Sequence, residues 1–219
     1  LSPYTRNALQ SEGVFFSTFA SPNNLPQMLF NSIEFATFLP IVFLLYWFVF
    51  NHNLKLQNLF IVAVSYLFYG WGDWRFLFLI AFTSFCSWGS GLWIDKWKDN
   101  QRKAKAVSVA NIVLNLGILA VFKYYNFFVT SFANAFLHDN TDGLLIKIIL
   151  PVGISFYTFQ ALSYSIDVYK RKLEPTHDII QFFAFVSFFP QLVAGPIERA
   201  TNLLPQFGKA RLFDYDQAV

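Results

Sequence analysis

Six windows of apolar sequence, roughly residues 33–50, 56–71, 74–94, 107–128, 144–168 and 179–197, follow one another along the chain with short polar joints between them. Each is near the length a helix needs to cross about 30 Å of hydrocarbon. The expected fold class is therefore all-α: a polytopic transmembrane helix bundle, forming one integral domain with no internal repeat. Composition points the same way. Of the 219 residues 55% are hydrophobic, 21% aromatic and only 13% charged, with a mean hydropathy of +0.42, outside the usual range of soluble domains.

A formal net charge of +3 is small and dispersed, which gives no basic stripe for nucleic acid. Cys86 is the only cysteine, so it offers neither an intramolecular disulfide nor a thiolate metal cluster, and a buried packing role is expected for it. Residues 1–27 lack a basic stretch followed by an uninterrupted apolar one and make a poor signal peptide. The only methionine, Met28, stands directly before a membrane-protein-like segment. Residues 1–27 are accordingly expected to be a non-native upstream extension, with translation starting at Met28 and the integral domain covering 28–219.

Lys96, Lys98, Arg102, Lys103 and Lys105 crowd the joint after the third window, which places it in the cytoplasm. Counting forward puts the His138–Gly143 region outside and returns Lys170, Arg171 and Lys172 to the cytoplasm. Counting backward puts Lys55 inside and the Gly72–Asp73 turn outside, where Gly70 and Gly72 are expected to end the second helix in a tight hairpin. The sixth window is different. Pro190, Gly195 and Pro196 interrupt it, and a full crossing would leave Arg199, Lys209 and Arg211 outside. A broken or re-entrant helix whose tail returns to the cytoplasm is expected, because irregular backbone at membrane depth is tolerated only against protein or a water-filled cavity.

The fifth window carries polar residues that a mere lipid anchor has no use for. Tyr157, Gln160, Ser163, Tyr164 and Asp167 recur at three- and four-residue spacing and so share one helix side. Such a stripe either hydrogen-bonds a polar substrate or glues neighbouring helices together. Asn111 and Asn115 form a smaller pair, best read as helix packing. His52, His138 and His177 all fall in polar joints, at spacings that match no metal site, and are expected at the surface. Nucleophile-elbow, phosphate-loop and dinucleotide motifs are absent.

MLFNS at 28–32, YLFYGWGDWRF at 66–76, FKYYNFF at 122–128, LPVGISFYTFQALSYSIDVYK at 150–170 and FVSFFPQLVAGPIER at 185–199 together resemble the N-terminal part of the membrane-bound O-acyltransferases. The resemblance is to the bacterial branch that includes alginate O-acetyltransferase and the D-alanyl transferase of teichoic acids. It runs from Met28 to about Phe213, and its two long motifs are its specific part.

The resemblance implies acyl transfer across a bacterial cell (inner) membrane by a multi-pass protein. A cytoplasmic thioester donor such as acetyl-CoA or an acyl carrier protein supplies the group. A polysaccharide, or an exported accessory acyltransferase, receives it on the outer side. It also implies an intramembrane catalytic histidine downstream of the GPIER-like motif, beyond Val219, so none of the three histidines here is assigned that role and the fragment is expected to be inactive by itself. Gln160, Ser163, Asp167, Gln191 and Arg199 are the substrate-pathway or structural candidates inside the matching motifs, and no metal is implied. A transporter or flippase-like bundle, which also builds sites from broken helices, is the alternative, and a structural anchor or gene remnant is a third reading.

Overall fold

The computed structural model describes residues 33–50, 52–136, 153–195 and 198–211. Among these there is no strand, and the all-α bundle expected from the sequence is what is found. The expected start at Met28, the extension before it, His138 and the first part of the fifth window lie outside the described residues.

The elements are α1 (Ile33–Leu44), continued by a π-turn (Leu45–Val49), α2 (Leu54–Asp73), α3 (Arg75–Lys96), α4 (Gln101–Phe136), α5 (Ile154–Tyr169), α6 (Ile179–Ser187), α7 (Phe189–Ala194) and α8 (Ala200–Phe207). Two of them, α3 and residues 101–125 of α4, are long and apolar enough to cross a membrane. Helices α3, α4 and α5 pack on one another, and α6 lies against α2 and α3.

Helix α3 shows why this is a membrane architecture. Its inward side is Thr83, Ser84, Ser87, Ser90 and Gly91, all buried, while Phe78, Phe82, Phe85 and Trp93 are exposed. Small and polar residues inside with large apolar ones outside reverse the soluble pattern and suit a lipid surround, where close backbone approach and interhelical hydrogen bonds hold helices together. The Asn111–Asn115 pair does this work on α4. Asn115 Nδ2 donates to Ser87 Oγ at 3.2 Å and to Asn111 Oδ1 at 3.0 Å, and Ser87 Oγ donates to Asn111 Oδ1 at 3.2 Å.

Three sequence expectations change. Gly70 and Gly72 do not end α2, which runs through both to Asp73 and meets α3 at Trp74. Glycine costs a helix only about 1 kcal/mol against alanine, and a Cβ on Gly70 would stand 3.1 Å from Leu77 Cδ1, so the small residue admits the next helix. The basic joint after the third window is mostly helix, because the Asn100 side chain accepts from Lys103 N at 3.2 Å and caps α4 well before its apolar stretch begins. Cys86 is half-buried rather than buried.

The sixth window is broken, at Phe188. Pro190 has no N–H to offer the Val186 carbonyl and its ring would press on it, so α6 stops and Pro190 sits in the first turn of α7, where its missing donor costs nothing. Gly195, before Pro196, is extended. The chain then turns back along α5. Leu192 O lies against Gly153 at the start of α5, whereas Ala200 N bonds Ser163 Oγ at 3.3 Å, ten residues or about 15 Å further along that helix. Gln181 in the first turn of α6 donates to Leu204 O at 3.1 Å, so the end of α8 comes home to the beginning of α6.

Two serines on the long helices hold this returning segment. The first amides of α7 and α8 have no cap within their own segment; Phe189 N donates to Ser65 Oγ of α2 at 3.3 Å, and Ala200 N to Ser163 Oγ of α5. Each serine satisfies a donor that would otherwise be orphaned at a helix start.

Candidate functional site

Helix α5 begins at Gly153, whose φ of 77° is the left-handed conformation. A side chain there would also collide with the Tyr69 hydroxyl of α2. This start fixes the rotation of α5 and turns its polar residues inward. Tyr157, Gln160, Tyr164 and Asp167 are buried, together with Thr158 and Ser165.

The five sequence candidates have separate fates. Gln160 is 1% exposed, and neither its Nε2 nor its Oε1 has a hydrogen-bond partner among the described residues. Asp167 is buried, with Oδ2 unpartnered. Ser163 donates to Gln160 O at 2.9 Å while capping α8, so its hydroxyl is committed to the fold. Gln191 is buried in α7, and Gly195 N folds back on its carbonyl at 3.1 Å. Arg199 is exposed and contributes its backbone, since its carbonyl accepts from Asn202 N and Leu203 N. Gln160 and Asp167 thus share the interior of α5, Ser163 and Arg199 meet at the start of α8, and the two groups touch through Ser163.

The hydroxyls of Tyr66 and Tyr69 on α2 and of Tyr157 on α5 are also buried without a described partner, that of Tyr69 against Gly153 at the start of α5. An unmet buried polar group costs about 1–3 kcal/mol, and a glutamine amide missing both donor and acceptor partners costs more than one. Native interiors carry such groups where water or a ligand satisfies them. The polar positions from Tyr157 to Asp167 extend about 15 Å along the helix, half the hydrocarbon thickness. Spread along the helix, a glutamine amide, phenols and a carboxylate each offer a hydrogen bond to a hydroxyl or a carbonyl. The described residues include no histidine in this interior: His52 and His177 are exposed. They also include no group of three His, Cys, Asp or Glu close enough to hold a metal.

One residue from Asp167 the interior gives way to a polar cavity of about 390 Å³ lined by Asp95, Lys98, Arg171, Lys172 and Glu174. It joins the two basic segments that charge counting put on one side of the membrane, and Arg171 Nη2 donates to Lys98 O at 2.5 Å across it. Arg171 closes α5 at φ 60°, with Arg171 N on Val168 O at 3.0 Å and Lys172 N on Asp167 O at 2.9 Å. Glycine is the usual residue in this cap. The sequence did not betray this, because nothing in an Arg–Lys pair signals a left-handed backbone. The buried serine face of α3 has a signal in the sequence, the three-residue spacing of Ser84, Ser87 and Ser90.

The chain is 38% identical over 182 residues to the probable alginate O-acetylase of Pseudomonas aeruginosa, an alignment covering 82% of this chain and 34% of the relative. It is 35% identical over 182 residues to the probable alginate O-acetylase of Azotobacter vinelandii, covering 82% and 36%. It is 30% identical over 207 residues to the peptidoglycan O-acetyltransferase of Helicobacter pylori, covering 82% and 38%. The chain spans about a third of the length of these curated relatives. No protein-family profile matches it, and no solved structure gives a significant match.

Proposed function

We propose, from the premise that this chain is a partial match to the N-terminal part of O-acetyltransferases, that it is the first portion of a membrane-bound enzyme moving an acetyl group to hydroxyls of an exported or cell-wall polysaccharide. The reaction class rests on the relatives. What supports a transfer path through this portion is the buried Gln160 amide, with no described partner at either end, in a helix whose far end borders a cavity lined by three cations and two carboxylates.

On this reading the protein is a multi-pass component of a bacterial cell membrane. The thioester donor, acetyl-CoA or an acyl carrier protein, approaches from the side of Lys98, Arg171 and Lys172, whose charges suit an anionic carrier. The acceptor, a polysaccharide or an exported accessory acyltransferase, is met on the opposite side. Within this chain Gln160 and the tyrosine hydroxyls would hydrate or orient the passing acyl carbonyl, and Ser163 would keep the returning segment in place beside them. The base for the acceptor hydroxyl and the donors for the oxyanion are assigned to residues following this portion, where the family resemblance puts a histidine. Nothing among the relatives supports the transporter alternative.

The test is made in the complete gene product, in membranes, with acetyl transfer to polysaccharide as the readout. Gln160→Ala and Asp167→Ala should each lower transfer while insertion and abundance stay unchanged; normal transfer in both would remove the path from α5. Reading the coding DNA beyond Val219 is the companion experiment. Further apolar spans with an intramembrane histidine are expected, and an immediate stop would remove the enzyme reading for this chain.

A further inference from the structure

A groove of about 350 Å³ runs between α1, α2 and the α7–α8 segment. Leu39, Phe43, Val64 and Leu203 are among its walls, and Arg211 stands at one end. Leu39 and Phe43 are 43% and 47% exposed, so the groove opens on the outer surface of the bundle, where a bilayer's hydrocarbon lies. Its volume falls within the range of apolar ligand sites.

The end residue decides what fits. Arg211 donates through Nε to Gln206 O at 3.2 Å, through Nη1 to Tyr46 Oη at 2.6 Å and through Nη2 to Asn58 Oδ1 at 2.6 Å. Its guanidinium also lies 4.9 Å from the Phe207 ring and 5.8 Å from that of Tyr46. All these partners are neutral. Three of the five guanidinium N–H groups are engaged, and the positive charge is left without a carboxylate among the described residues. Lys55, one turn from Asn58 at the start of α2, is exposed and marks this as a headgroup-level end of the bundle.

We propose that the groove holds one acyl chain of an anionic phospholipid, its phosphate resting against the two remaining N–H groups of Arg211. An apolar trough open to hydrocarbon and ending in an uncompensated guanidinium matches a ligand with an alkyl tail and an anionic head. No residue of α5 is among the groove's walls, so the lipid is distinct from the proposed transfer path. It would fill the seam between the returning segment and the rest of the bundle.

The experiment uses the expressed protein in vesicles containing phosphatidylglycerol or phosphatidylcholine with brominated chains, which quench tryptophan on contact. Trp47 lines the groove, and subtracting the Trp47→Phe variant isolates its signal. Quenching should half-saturate at a mole fraction about fivefold lower for phosphatidylglycerol, the size of a single cation's attraction to anionic lipid. Arg211→Gln should equalise the two lipids and Arg211→Lys should keep the preference. Because Arg211 also ties the fold, Val42→Phe provides a second test: it fills the groove with the guanidinium intact, and should remove the difference between the two lipids, leaving only the quenching of Trp47 by surrounding lipid. Equal quenching in the unaltered protein would overturn the proposal. A preference surviving Arg211→Gln, one lost equally in Arg211→Lys, or one surviving Val42→Phe would overturn it as well.

Discussion

Gly91 is where α3 accepts α5, and adding one methyl group there measures how tightly the two helices fit. A Cβ at Gly91 would stand 2.6 Å from Tyr164 Cε1 and 2.7 Å from Cζ, about 1 Å inside comfortable carbon contact. The ring has no room to retreat: Tyr164 is 0% exposed, and the Phe182 ring lies 4.6 Å away, centroid to centroid. Overpacking of this kind costs about 1–3 kcal/mol. Replacing glycine by alanine in a helix returns about 1 kcal/mol, so the clean comparison is Gly89→Ala on the same helix, whose Cβ would meet nothing within 4 Å. The propensity gain cancels between the two variants and leaves the collision. At about 2–4 °C per kcal/mol for a chain of this size, Gly91→Ala should melt about 2–12 °C below Gly89→Ala in one detergent. Tyr164→Leu, which removes the ring, should close most of that gap in the Gly91→Ala background. A Gly91→Ala protein melting level with or above Gly89→Ala would refute the account of how α3 receives α5.

Other outcomes follow from the same contacts. Asn115→Leu breaks the bridge to Ser87 and should destabilise the bundle by about 0.6–1.7 kcal/mol, read by denaturant titration in micelles; no loss would mean that the α3–α4 network is idle. Arg171 holds a left-handed backbone while reaching Lys98 O. Arg171→Ala keeps the strain and loses the bond, whereas Arg171→Gly loses both, so the glycine variant should be the more stable by about 1 kcal/mol; the reverse order would count against the strained cap. A cysteine at Lys209 should react with an impermeant maleimide only from the cytoplasmic side, because α8 returns to the first turn of α6, and labelling from outside alone would contradict that return.

How much of this could be read from the residues depends on whether a neighbour or a distant segment sets the geometry. The helices were legible because long apolar runs leave the backbone no other way to satisfy itself. The break in the sixth window was legible because Pro190 cannot continue a helix whatever surrounds it. The length of α4 was less so, since hydropathy sees where a helix is apolar and not where Asn100 starts it. Gly70 and Gly72 misled because a glycine looks alike as helix breaker and as contact surface. In the candidate site, spacing put Gln160 and Asp167 on one side of α5, and both are buried. The division of labour between Gln160, left without a described partner, and Ser163, committed to Ala200 N, depends on a segment 37 residues further on, and no local pattern carries that.

The tie between Arg211 and the first described helices also bears on when the bundle can be finished. Tyr46 and Asn58 precede Arg211 by 165 and 153 residues, and Asn58 Nδ2 donates to Phe207 O at 2.8 Å across 149. A ribosome adding about 5–20 residues per second reaches Arg211 roughly 8–30 s after Asn58. Throughout that interval the start of α2 is in the membrane with its amide, buried in the finished bundle, still waiting for its partners. The α1–α2 pair of the nascent protein must therefore be kept by water, lipid or an insertion factor until the segment that carries Phe207 and Arg211 arrives.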